Sequence, residues 1–182
     1  MATLLTLGLI AVVLFAAITW NGLTRLRMLV RNAWADIDVQ LKRRHDLIPG
    51  LVSAVKGHAG YEKGTLEAVV EARNRAMAAA GPRAAGVAEQ ALAGQVGRLL
   101  ALAEAYPDLK AGQSFLELQR SLVSIEDHIQ NARRYYNAVV RDYNTRIAQI
   151  PSNLIAGPMG FEAAEFFGLG DLAEGAAPQV SV

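Results

Sequence analysis

From Ala2 to Trp20 the chain reads ATLLTLGLIAVVLFAAITW, nineteen residues without one charged side chain. With a rise of about 1.5 Å per residue, a helix of that length covers roughly 28 Å, close to the thickness of a bilayer's hydrocarbon core. A single transmembrane helix is therefore expected. A cleaved signal peptide is the rival reading, but it would carry a basic leader and a shorter apolar core, and no Lys or Arg precedes Arg25. In the membrane reading Leu4, Leu9, Val13 and Phe15 face lipid, Trp20 is the interfacial aromatic, and Arg25 and Arg27, followed by Arg31, lie at the headgroups. Flanking positive charge places the rest of the chain in the cytoplasm, with an extracytoplasmic bundle as the alternative.

The span accounts for a composition that is 52% apolar and only 19% charged. A net charge of +1 offers no clustered basic excess, which argues against nucleic acid as a partner. The absence of cysteine excludes a disulfide framework, a zinc ribbon and thiol catalysis.

Beyond the span the pattern is helical. Val30, Trp34, Ile37, Leu41, Ile48, Val52 and Val55 recur at alternating steps of three and four, with His45 filling the gap, as a buried helical stripe requires. Pro49 must kink or stop this helix, and a kink keeps the stripe in phase. Gly57, Gly60 and Gly64 loosen the chain, LEAVVEARNRAMAAA resumes it, and Gly81-Pro82 turns it. A third helix is expected over Val87 to Ala105, with YPDLKAGQ as a loop. The last long helix carries the clearest stripe: Phe115, Leu118, Leu122, Ile125, Ile129, Ala132, Tyr136, Val139, Tyr143, Ile147 and Ile150, stopped by Pro151. Ser114 and Glu117 have the spacing of a capping box at its start. A coiled-coil-like stripe of roughly 50 Å needs an antiparallel partner, and the first helix is the obvious one. The fold class is all-α: a single transmembrane helix followed by an antiparallel long-helix bundle. The expected division is an anchor at 1–22, a bundle at 23–150, an aromatic, Gly- and Pro-rich docking segment at 151–168, and a disordered tail at 169–182. Helix packing is assigned to Trp34, Ile37, Leu41, Ile48, Leu122, Ile125, Ile129, Tyr136 and Tyr143.

Candidate chemistry is sparse. Asp36, Asp38, Lys42, Arg43 and Asp46 project off the first stripe and read as a solvated face, while Arg44 flanks the seam. His45 projects onto the stripe, where a hydrogen-bonded packing role is simpler than metal ligation. Asp46 points away from it, His58 and His128 lie in other segments, and no H-x-x-x-H or H-E-x-x-H brings two imidazoles onto one face. Tyr136-Asn137 recurs one heptad later as Tyr143-Asn144, at one edge of an interface; bonding between helices is simpler than a ligand site. Phe161, Phe166 and Phe167 need cover from the bundle, another subunit or the membrane surface.

Three segments, RNAWADIDVQLKRRHDLIPGLVSAVKGHAGYE, LEAVVEARN and YPDLKAGQSFLELQRSLVSIEDHIQNARRYYNAVVRDYNTRIAQIPSNLIAGPMGFEAAEFF, closely resemble the LemA family of bacterial proteins in the same order. The resemblance runs from about Arg31 to Phe167, apart from a variable stretch near residues 77 to 100. It implies an N-terminal membrane anchor and an antiparallel helical bundle, and it delivers no activity; one branch of the family is associated with building magnetosome membranes. Gly50 stands where the family often has Asn, and GHAGYE reverses the usual order of an aromatic and a histidine, which makes His58 a poor shared ligand. The expectation is a scaffold of the bacterial inner membrane, contacting lipid through its span and a protein partner or further copies of itself through its helices. No catalytic, cofactor or metal site is assigned. The alternative is a metal-dependent or other enzyme module using His45, Asp46 and His58.

Overall fold

In the computed structural model, which describes residues 1–57 and 63–168, the described residues are mostly helical and include no strand. Helix α1, Ala2–Lys56, is one unbroken rod of 55 residues that carries the apolar N-terminal segment directly into the bundle. It runs on through Pro49, and the His45 carbonyl, which has no amide partner at position 49, accepts instead from the Arg73 Nε. Among the described residues one helix, α1, is long and apolar enough to cross a membrane. Its first eighteen residues have almost no protein contact; burial starts at Thr19 and Leu23.

Helices α2, Lys63–Ala78, and α3, Pro82–Ala103, form a hairpin whose turn uses Gly81 at φ 83°, with Pro82 preset for the first turn of α3. Helix α3 thus starts earlier than the expected Val87. The loop read from YPDLKAGQ contains a one-turn helix α4, Pro107–Lys110, and α5, Gln113–Ala148, returns along α1 as the antiparallel partner. The expected capping box does not form. Gly112 is the N-cap, Ser114 lies inside the first turn, and Glu117 accepts instead from Gln113, because the turn leaving α4 starts the helix before Ser114 can cap it. Ile150, assigned to the stripe, falls beyond the end of α5 and is exposed. Helix α6, Asn153–Ala156, then packs on α1, and residues 161–168 lie extended along the α1–α5 seam.

Two cores result. One, toward the anchor, joins Leu23, Val30, Ile37 and Leu41 of α1 to Ile129, Tyr136, Val139, Val140 and Tyr143 of α5, with Trp34 and Ile125 partly buried against it. Ala156, Phe161 and Phe167 complete this core. The other joins Ile48, Leu51 and Val55 to the α2–α3 hairpin and to Phe115, with Leu122 at its edge. His58 and the segment 169–182 lie outside the described residues.

Ile129 is buried at the α1–α5 seam, whereas Arg134 is exposed on the far side of α5. An aspartate at 129 would bury a carboxylate without a partner, a loss comparable to much of the about 5–15 kcal/mol that holds a domain together. Ile129→Asp is expected to lower the thermal midpoint sharply or prevent folding, and Arg134→Gln to leave it within a degree or two; equal melting of both variants would rule out this seam.

Candidate functional site

The polar groups of Asn137, Asn144 and Tyr136 bond the extended segment 161–168 and not a neighbouring helix, while the rings of Tyr136 and Tyr143 are buried in the core between α1 and α5. Asn144 donates its side-chain amide to the Ala164 carbonyl at 3.0 Å and accepts the Ala164 amide at 2.8 Å. Asn137 does the same to Phe167, at 3.1 Å and 3.0 Å. The spacing has a geometric reason. One heptad of helix advances about 10.5 Å, and three residues of extended chain advance about 10 Å, so asparagines seven apart meet residues three apart. Between them the Tyr136 hydroxyl donates to the Glu165 carbonyl at 2.7 Å. This strap is also held by its aromatic ends. Phe161 packs edge-on against Trp20 at 5.2 Å with the Arg27 guanidinium 4.6 Å above its ring, and Phe167 packs against Trp34 at 5.5 Å. Trp34 in turn touches Tyr136 at 5.6 Å. Phe161 and Phe167 therefore take their cover from the bundle.

A close approach by α3 secures the far end of the strap. A Cβ at Gly86 would come within 2.5 Å of the Gly168 backbone nitrogen, so only glycine lets the helix and the strap meet there. Gly168 itself adopts φ 70°.

The second polar site lies between the two cores. Arg44 is buried, not a flanking residue, because α3 passes over it and brings Glu89. The Arg44 Nη1 is 3.5 Å from Glu89 Oε2 and 3.3 Å from Glu126 Oε2. Glu89 Oε1 lies 2.5 Å from His45 Nε2, and the Arg73 Nε donates to the His45 carbonyl at 2.7 Å. A cavity of about 180 Å³ opens beside this cluster, lined by Arg44, Glu89, Glu126, Arg133 and the end of the strap. Glu89 was missed in the sequence. The available signal was its isolation, as the one charged residue between Arg83 and Arg98 in an Ala- and Gly-rich helix.

Asp36, Asp38, Lys42, Arg43 and Asp46 are exposed, and Asp46 lines an open surface groove with Arg43, Arg120 and His128. His45 and Asp46 thus serve different surfaces. Among the described residues no group of three His, Asp or Glu side chains is placed to hold a metal ion. The anchor residues Leu4, Leu9, Val13, Phe15 and Trp20 are exposed along the first part of α1, Arg25 is exposed, and Arg27 is half-buried under Phe161.

A family model described as the LemA family matches residues 33–182. Among curated proteins, "Magnetosome protein MamQ 2" of Paramagnetospirillum magneticum is 25% identical, the alignment taking in 90% of this chain and 71% of that protein. "Magnetosome protein MamQ" of Magnetospirillum gryphiswaldense is 24% identical over 92% of this chain and 71% of its own length. "Protein LemA" of Metamycoplasma hominis is 26% identical over 75% of this chain and 63% of its own.

Burial, and then the neighbouring Glu165 carboxylate, push the Tyr136 hydroxyl up to about 12 from an ordinary 10. Its proton is the one donated to the strap, so the protonated form is favoured by the docked state. That contribution is complete below pH 10 and is lost as pH rises from about 10 through about 12. An absorbance titration of the tyrosinates should show a late component near 12 that is missing from Tyr136→Phe. Its absence from the wild type would mean that this hydroxyl faces water.

Proposed function

The chain belongs to the LemA family, and from that premise we propose that it is a membrane-tethered, non-enzymatic scaffold. Its anchor is the apolar start of α1, and its bundle engages a protein partner or further copies of itself through long, coiled-coil-type helical faces. The observation that carries this reading is the continuity of α1. An uncovered apolar segment of span length passes without a break into a packed bundle, so the membrane and the protein surface are joined by one rigid element. The division into an anchor at 1–22, a bundle at 23–150, a docking segment at 151–168 and a tail at 169–182 belongs to the same reading.

The polar groups nearest to a catalytic arrangement are engaged in holding the chain together. His45 is bonded to Glu89, and Tyr136, Asn137 and Asn144 grip the strap. The outer faces keep apolar side chains in water, among them Val123 and Tyr135 on α5 and Met77 and Val87 on the hairpin, which suits protein contacts. Two of the similar proteins carry the name magnetosome protein, which supports a role at a membrane for this chain as well.

The membrane is the inner membrane of a bacterium, crossed once, with the bundle in the cytoplasm. Arg25 and Arg31 are exposed just past the span and carry the positive flank; Arg27 contributes less freely, because it is seated on Phe161. The alternative, a metal-dependent module on His45, Asp46 and His58, is separated by metal analysis of the purified full chain. The scaffold reading expects substoichiometric metal that His45→Gln does not change, whereas one bound ion lost in that variant would establish the alternative.

Topology has its own test. A reporter that matures only outside the cytoplasm, fused after Val182, is expected to be inactive, and strong activity would place the bundle on the other side. Crosslinking from intact membranes through a photoreactive residue at exposed Val123 is expected to give discrete adducts with a partner or a second copy. A chain that remains uncrosslinked at this and other exposed apolar positions would refute the scaffold.

A further inference from the structure

Between Ile147 and Phe161 the sequence IAQIPSNLIAGPMGF contains no charged residue, although Arg146 precedes it and Glu162 follows. This uncharged turn is amphipathic. Ser152, Ala156 and Phe161 face inward and are buried. Ile150, Leu154 and Met159 face outward, at 82%, 71% and 51% exposure. The turn sits at one particular height on the molecule. Helix α6 packs on α1, Ala156 and Phe161 share a core with Leu23, and Phe161 contacts Trp20. Trp20 closes the apolar segment, so the outward side chains of the turn stand where α1 leaves the bilayer.

We infer that the 147–161 turn is a second membrane contact, with Ile150, Leu154 and Met159 dipping into the boundary between headgroups and acyl chains beside the span. The inference rests on the reading of Ala2–Trp20 as a membrane span. The occupant follows from continuity. Ile18 and Trp20 of α1 are likewise apolar and exposed, Trp20 is joined to the turn through Phe161, and α1 holds that end of the bundle against the bilayer. An uncharged turn with outward apolar side chains, at the height of Trp20 and followed along α1 by exposed Arg25 and Arg31, matches an interface with an apolar interior and anionic headgroups. Lipid contact at two points would hold the bundle upright, since one helix alone leaves it free to swing about the membrane normal.

The chain contains no cysteine, so single labelling sites are simple to introduce. Leu9→Cys, Leu154→Cys and Val123→Cys, each in the full chain, would carry a small environment-sensitive fluorophore. The proteins would be reconstituted into vesicles of phosphatidylethanolamine and phosphatidylglycerol. Quenching by a nitroxide on the upper acyl chain would be compared with quenching by aqueous iodide. Leu154 and Val123 are both exposed, so neither label should disturb the core. The Leu154 probe is expected to be quenched several-fold more by lipid nitroxide than the Val123 probe, and several-fold less by iodide. If Leu9 is lipid-quenched while Leu154 behaves like Val123, the turn stands in water and the inference fails with the span intact. Protection of Leu154 from both quenchers would mean that protein covers it, which also overturns the inference. A Leu9 probe open to iodide would remove the span itself, and this contact with it.

Discussion

Arg44 lies where three helices meet, and its guanidinium answers carboxylates from two of them, Glu89 on α3 and Glu126 on α5. Apolar stripes alone leave helices free to slide, because one leucine packs much like the next. A buried charge does not tolerate this. Slipping α1 against α3 by one turn, about 5.4 Å, would part Arg44 from buried Glu89, and breaking such a buried pair costs about 3–5 kcal/mol; Glu126, which is partly exposed, adds a weaker tie to α5. The cluster contributes little net stability beyond what apolar residues would give, but it fixes the register. It also falls at the boundary of the two cores, with Leu41 on one side and Ile48 on the other. The alignment of Asn137 and Asn144 on α5 with Trp20 and Trp34 on α1 depends on that register, and so does the groove that receives the strap.

The long helices could be read from the sequence because their stripes repeat with the period of the helix over many turns, from Val30 to Val55 and from Phe115 to Ile147. Long-range polar pairing has no such period. His45 was placed on the seam by its projection, but its partner Glu89 is 44 residues away in the chain, on a helix whose many alanines give a weak stripe. The heptad spacing of the Tyr-Asn pairs was visible, yet their partner is main chain, and main chain leaves no trace in side-chain patterns. The Ser114 box failed for a related reason: the local motif was sound, but the route by which the preceding turn enters α5 decided the cap. At Ile150 the stripe continued one step past the helix, since periodicity does not record where the backbone leaves it.

The strap changes what the bundle presents to its surroundings. A groove between two long helices, lined by aromatic rings and free carboxamides, would otherwise be the most obvious docking site on the molecule. The chain fills it with its own residues 161–168, and Gly86 brings α3 over the far end. What remains outside is the outer face of α5, the back of the α2–α3 hairpin and the uncovered start of α1. On the scaffold reading proposed above, a partner would meet the outer helical faces, while the inner seam serves cohesion.

The two asparagines hold only amide and carbonyl groups of the residues they face, which are the same in every amino acid except proline. The grip is therefore blind to side-chain identity. Specificity for the strap lies elsewhere, in the rings of Phe161 and Phe167 that seat against Trp20 and Trp34. The latch thus divides into a grip and an address. The side chains of exposed Glu162, Ala163 and Glu165 belong to neither, although the Glu165 carbonyl is held by Tyr136, and these are the positions at which the strap is free to drift in sequence while keeping its place.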